Sequence, residues 1–202
     1  MLLYSKFLYT FMLPVLRNRF FGMRHGHSVA NLESVVCGLK ENDEGLSDKG
    51  SEQAKVCDLP FDSSIIIYSS DFPRARETAE IVQYRLRIPE LVLSTRLRER
   101  SFGELEGQDI SELDKVWSYD FQDPNHRFFG VESAEQVGAR VLSLVHDLNR
   151  IYSDKDILLV SHGDPLHILE TYVRGIDVAN HMKLPSLKNA EIREYSVMSY
   201  SV

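Results

Sequence analysis

Two apolar, strand-like runs in this chain each end in a histidine followed by a glycine. Phe20-Phe21-Gly22-Met23 leads into Arg24-His25-Gly26, and Ile157-Leu158-Leu159-Val160 leads into Ser161-His162-Gly163. Strands buried on both faces read as short continuous apolar runs, and open α/β sheets bind ligands beyond the carboxyl ends of their strands. Two imidazoles far apart in sequence can therefore meet at one edge of one sheet, where they would form a catalytic pair.

The chain has 202 residues, 43% of them hydrophobic and 26% charged, which suits one globular domain with a substantial core. A formal net charge of -7 argues against a nucleic-acid binder, which needs a basic face, so any phosphate must be held locally. Cys37 and Cys57 give neither a disulfide framework nor a metal-ligand spacing, so reduced thiols, a cytoplasmic location and no bound metal or cofactor are expected. Residues 1–18 form a hydrophobic extension before the domain at 19–202. Its first sixteen residues carry only Lys6 as a charge, yet the run is too short to span a bilayer and lacks a small-residue cleavage site. Leu3, Phe7 and Phe11 would share one helical face, for packing on the domain or on a second copy of the chain. A signal peptide and a membrane-surface anchor are weaker alternatives, and no stable membrane insertion is expected.

From residue 18 onward, short apolar runs alternate with helical patterns, as in an α/β domain. Ser47 can cap a helix reaching about Cys57, and Ile65 to Tyr68 reads as a buried strand. A helix from Phe72 to Leu86 follows, with Ala75, Ala79, Val82 and Leu86 on one side. Leu91 to Leu93 reads as a short strand and Ser111 to Trp117 as a short helix. Ser133 with Gln136 makes a capping box for a helix whose Val137, Val141, Leu144, Leu148 and Ile151 face the core. After the strand at Ile157–Val160, a helix from Pro165 to Val173 has its proline in the first turn, and Ala190 to Val197 reads as an antiparallel edge strand. The sheet would hold about five or six strands, mostly parallel.

Five blocks then stand in order: Arg24-His25-Gly26-His27-Ser28 with Asn31; Leu46-Ser47-Asp48-Lys49-Gly50 with Gln53-Ala54; Ser69-Ser70-Asp71 with Arg74 and Glu77-Thr78-Ala79; Leu97-Arg98-Glu99 with Phe102-Gly103-Glu104 and Glu106-Gly107; and Val160-Ser161-His162-Gly163. Together they resemble the histidine phosphatase superfamily, also called phosphoglycerate-mutase-like, in its broad-specificity phosphatase branch. The resemblance spans about residues 19 to 195. It implies a three-layer α/β/α sandwich and a reaction through phosphohistidine.

The residue chemistry agrees with that expectation. His25 would be the nucleophile, one ring nitrogen free and the other held by a backbone acceptor. Arg24 and Arg74 would grip phosphoryl oxygens, and His162 would donate to the same oxygens. Asn31 could add an amide donor, Gly26 a backbone N–H, and Ser28 and Gly163 further contacts, although Ser28, His27 and Asn31 also suit plain loop and cap roles. Arg74 is preferred over Arg76 on the pattern of the family, since spacing alone does not separate them. The leaving alkoxide needs a proton, for which Glu99 is the preferred donor and Asp164, otherwise a helix cap, the alternative. A second carboxylate nearby or a dry pocket would raise the donor's pKa.

His27 stands where the family commonly has Glu or Gln, and Arg100 where it is commonly apolar. Arg98 and Arg100 are expected to be surface residues or ion-pair partners, and His126, His146, His167 and His181 to be structural. Trp117, Tyr119, Phe121, Phe128 and Phe129 should roof the site, either lining an apolar subsite or packing as a cap. The expected activity is a metal-independent hydrolysis of small phosphomonoesters. A phosphoglycerate mutase and a non-catalytic phosphate or phosphoprotein binder are the alternatives.

Overall fold

Strand β4 (Asp156–Ser161) is the axis of the sheet. It pairs in parallel with β1 (Arg19–Arg24) on one side and β2 (Ile66–Ser69) on the other, in a computed structural model that describes residues 16–195. The order is β3-β2-β4-β1-β5, with β3 (Val92–Leu93) parallel to β2 and β5 (Ile192–Tyr195) antiparallel to β1. Five strands with one antiparallel edge agree with the sequence expectation.

Because successive side chains of a strand point to opposite faces, the apolar runs supply two cores at once. Phe20, Ile157 and Leu159 pack with helices α5 (Ala134–Ile151) and α6 (Gly163–Arg174). Phe21, Met23, Leu158 and Val160 pack on the other face against α3 (Pro73–Leu86), which carries α2 (Asp48–Val56) beside it. The result is the expected three-layer sandwich. A third cluster, Val36, Phe102, Leu105, Leu113, Val116 and Val131, joins the loop after α1 (Val29–Glu33) to α4 (Leu113–Gln122).

The helix termini follow local signals. Ser47 caps α2 by accepting from Gly50 N, and the capping box of Ser133 with Gln136 opens α5. Several boundaries differ from the sequence reading. Helix α3 begins at Pro73 with Phe72 as its cap, α6 starts at Gly163 with Pro165 in its first turn, and the third strand is reduced to two exposed residues without Leu91. Helix α4 extends five residues beyond Trp117, after a 3₁₀ turn at Ile110–Glu112 that Asp109 caps through its acceptance from Ser111 N. Strand β5 starts at Ile192, since Ala190 has φ 60°, and residues past 195 lie outside the described residues. The helical face proposed for Leu3, Phe7 and Phe11 lies outside them too, whereas Leu16 packs against the α5–α6 core. Among the described residues, no helix is long and apolar enough to cross a membrane.

Of the two expectations for Arg100, a surface residue or an ion-pair partner, the second holds. Far from the surface, it is 0% exposed, donating to Asp120 through two nitrogens at 2.6 and 2.9 Å. His181 Nε2 and His126 Nε2 also lie 3.1 and 3.0 Å from that carboxylate, which has relative exposure 0%. Arg98 does form an ion pair, with Asp71 at 2.7 Å. Removing one partner of a buried pair leaves an uncompensated charge, so Asp120→Ala is expected to lower stability by about 3–5 kcal/mol. Urea unfolding followed by circular dichroism would measure this, and a loss below about 1 kcal/mol would mean that Arg100 finds solvent.

Candidate active site

The parallel register pairs Arg24 with Ser161, and the ladder runs one step further through a hydrogen bond from His25 N to Ser161 O at 3.0 Å. The next side chains on the two strands are therefore neighbours: the rings of His25 and His162 have centroids 5.2 Å apart. Ser70 N donates to Val160 O at 2.9 Å, which brings the end of β2 and the start of α3 to the same edge.

Arg74, in the first turn of α3, joins this edge as a buried guanidinium. Its Nε–H donates to His25 Nε2 at 3.1 Å, which makes Nε2 the lone-pair nitrogen. The proton then sits on Nδ1, which donates to Gly26 O at 2.7 Å. The expected backbone acceptor is present, and the two contacts together fix one tautomer. Burial first, then the charges of Arg74 and Arg24, push the His25 pKa well below the usual imidazole range, so the ring is neutral near pH 7. His162 is driven the same way by burial and Arg74. Its Nε2 lies 2.9 Å from Ser70 Oγ, while its Nδ1 is buried without a protein partner. A serine O–H donated to Nε2 leaves Nδ1–H as an unspent donor.

The other nitrogens of Arg74 are anchored by groups that the sequence did not point to. Nη1 donates to Asp43 Oδ2 at 3.0 Å, and Nη2 to Cys37 O at 2.8 Å. Asp43 is itself held by the N–H groups of Gly45 and Arg74. Four carboxylates stand between residues 41 and 48, and nothing in their spacing marks Asp43. Arg24 donates Nη1 to Leu187 O at 2.9 Å, and its buried Nε has no partner. Burial, aided by repulsion from Arg74, lowers the Arg24 pKa, as expected for cations gathered in a dry place.

Arg24, His25, Cys37 and Arg74 line a cavity of about 190 Å³ together with Glu99, Ser28, Asn31, Gly163 and Asp164, with His162 beside His25 but off the lining. Ser28 closes a capping box on α1, and Asn31 Oδ1 accepts from Ser28 N and Asn189 Nδ2, which leaves the Asn31 amide nitrogen for a ligand. Gly163 opens α6, where a Cβ would meet nothing within 4 Å. The expectation for Gly26 is corrected: its N–H is spent on Thr78 Oγ1 at 3.0 Å. A Cβ there would stand 2.5 Å from the carbonyl oxygen of Gly50, so glycine is needed for the close approach of α2. Of the roofing aromatics, Trp117 lines the cavity, whereas Tyr119, Phe128 and Phe129 cluster with His126. Phe121 is 57% exposed and carries Lys183 over its ring. Among the described residues, no group of three or more His, Cys, Asp or Glu is arranged to hold a metal ion.

Residues 20–200 match the family described as histidine phosphatase superfamily (branch 1). The chain belongs to the histidine phosphatase superfamily. It is 31% identical over 160 residues to an uncharacterized phosphatase, PhoE, of Bacillus subtilis (strain 168), covering 77% of each chain. It is also 31% identical over 176 residues to a 2,3-bisphosphoglycerate-dependent phosphoglycerate mutase of Bartonella henselae, covering 77% of this chain and 81% of the mutase. The native structure of a mycobacterial glucosyl-3-phosphoglycerate phosphatase superposes with a TM-score of 0.73 at 27% identity, over 87% of this chain and 88% of the other.

In this member of the superfamily both candidate proton donors reach the cavity, in different settings. Asp164 accepts from Trp117 Nε1 at 3.2 Å and from Arg100 Nη1 at 3.3 Å, so both of its oxygens are engaged. Among the described residues the Glu99 carboxyl has one hydrogen bond, Oε1 accepting from Arg100 N at 2.9 Å. Burial first, then the neighbouring Asp164, raise its pKa to about 7, against the pull of Arg74. Losing the Asp164 charge removes a repulsion that disfavours ionised Glu99. Asp164→Asn is therefore expected to lower the Glu99 pKa, read by carbon NMR titration of labelled glutamate. An unchanged titration would remove Asp164 as a cause.

Proposed function

We propose that this chain hydrolyses phosphomonoesters through a phosphohistidine on His25. The observation that carries the proposal is the neutral His25 Nε2, its lone pair directed at the Arg74 guanidinium inside a cationic cavity. An incoming phosphoryl group replaces that lone pair as the acceptor for Arg74 Nε–H, and Arg24 Nε–H and His162 Nδ1–H supply further donors. Asn31 and the N-terminus of α6 at Gly163 bound the same space.

In the first step the Nε2 lone pair attacks phosphorus as the P–O ester bond breaks, and Glu99 passes its proton to the leaving oxygen, releasing the alcohol. Charge spreads over the equatorial oxygens at that moment, where preorganised donors act most strongly, at about 3 kcal/mol for each donor in a dry site. The deprotonated Glu99 then accepts a proton from water as the water attacks phosphorus. The P–N bond breaks, inorganic phosphate leaves, and His25 is restored as the neutral imidazole. Glu99 is favoured over Asp164 as donor because its pKa near 7 keeps a proton available, whereas Asp164 faces Arg100 and the Trp117 N–H.

A phosphoglycerate mutase using the same phosphohistidine is the second reading, favoured by the likeness to the Bartonella henselae enzyme. Hydrolysis of p-nitrophenyl phosphate in EDTA by the wild type, and none by His25→Ala, is the expected result. Conversion of 3-phosphoglycerate to 2-phosphoglycerate without phosphate release would support the mutase instead.

The proton donor has its own test. Glu99→Gln is expected to cost about 10²–10⁴-fold in kcat on an alkyl phosphate, and far less on p-nitrophenyl phosphate, whose leaving group needs little protonation. Equal losses on both would assign Glu99 another role. In the wild type, alkyl phosphate turnover should fall as pH rises through about 7, where Glu99 loses its proton.

A further inference from the structure

Beyond the phosphoryl-binding groups, the cavity has a wall of another character. Val35, Phe102, Ile110, Leu113, Trp117 and Met182 line it. Phe102 and Leu113 are anchored in the third apolar cluster, so this wall is a fixed surface rather than a set of loose side chains. Among the described lining residues, Arg24 and Arg74 are the only arginines, and there is no lysine. Both are already committed: Arg74 to His25, Asp43 and Cys37, and Arg24 in part to Leu187. Of the two acidic lining groups, Glu99 and Asp164, the second stands against the apolar wall, where Trp117 donates to it. His167, 4% exposed on this lining, supplies no positive charge, because burial lowers its pKa.

We propose that the alcohol portion of the substrate is apolar and uncharged, so that the favoured ligand is an alkyl or aryl monophosphate with one phosphate and no carboxylate. The proposal rests on the hydrolase reading above and deepens it. A ligand carrying a second phosphate or a carboxylate brings an anion to a wall without a free cation and toward the Asp164 carboxylate. That anion loses its water and gains no partner. An apolar chain gains instead by leaving water for the six apolar side chains. Discrimination against an ill-matched group in a largely apolar pocket reaches about tenfold or more.

The test compares n-butyl phosphate with 3-phosphoglycerate, two alkyl esters of similar length, by kcat/KM of the full chain. It also compares binding of n-butylphosphonate with 3-phosphonopropionate, followed through the fluorescence of Trp117, the only tryptophan in the chain. The neutral chain is expected to win by about tenfold or more in both. Ile110→Arg, at a position 41% exposed where a longer side chain is accommodated, should narrow or reverse the preference by adding a cation to the wall. Hydrolysis that favours 3-phosphoglycerate would overturn the substrate class while leaving the hydrolase standing. No turnover of either ester, with n-butylphosphonate still bound more tightly, would overturn the hydrolase and support the wall. Equal or tighter binding of 3-phosphonopropionate would overturn the substrate class whatever the turnover.

Discussion

The parallel pairing of β1 with β4 is the constraint from which the site follows. With Arg24 opposite Ser161, the two strands end at the same height, and His25 and His162 leave the sheet side by side. A slip of one residue would turn Phe21 and Met23 from the α3 core toward the α5–α6 core and turn Phe20 the other way, so burial on both faces fixes the register. The imidazole pair thus inherits its geometry from hydrophobic packing well away from the chemistry. Everything between the two strands is free to elaborate, because a parallel pair must be joined by a crossover, and that crossover delivers Arg74 and Glu99.

Charge is then arranged against its own preference. Arg24 and Arg74 repel one another in a poorly solvated cavity, and both histidines are held neutral beside them. Folding tolerates this arrangement because Arg74 is offset by Asp43 and by Cys37 O, which also hold its plane still. An anion entering the cavity relieves the repulsion and meets donors already oriented, so in the proposed reaction little reorganisation would remain for the moment of phosphoryl transfer. The same neutrality leaves His25 Nε2 with a lone pair to use.

Much of the fold was legible because its signals are local. Ser47 and Ser133 announced their helices through caps, and the two cores follow from alternation along short strands. Part of the cavity was also legible, since His25, Arg24 and Arg74, with His162 beside them, stand at the ends or starts of elements that the pattern locates. What escaped depends on partners brought together only by folding. Arg100 reads as either a surface residue or an ion-pair partner until Asp120 appears beside it, and Asp43 reads as one of several loop acids until Arg74 selects it. Gly26 suggested a phosphate-facing N–H, but the approach of Gly50 is a tertiary fact that no local rule contains. Helix α4 outran its expected end because Val116 and Asp120 continue a buried stripe, and a polar buried position is invisible to an apolar periodicity.

In the proposed reaction, Asp164 would link proton affinity to substrate choice. Its carboxylate, fixed by Arg100 and Trp117, is one cause of the raised Glu99 pKa and therefore of a proton being available at neutral pH. The same negative charge stands at the edge of the apolar wall, where it disfavours any second anion on the ligand. A positive residue placed there to welcome a phosphocarboxylate would neutralise that field and draw the Glu99 pKa back toward its ordinary value. On the proposed reading, an acid competent to protonate a poor leaving group and a pocket hospitable to substrates with a second anionic group thus make opposing demands on one carboxylate, and this chain's arrangement favours the acid.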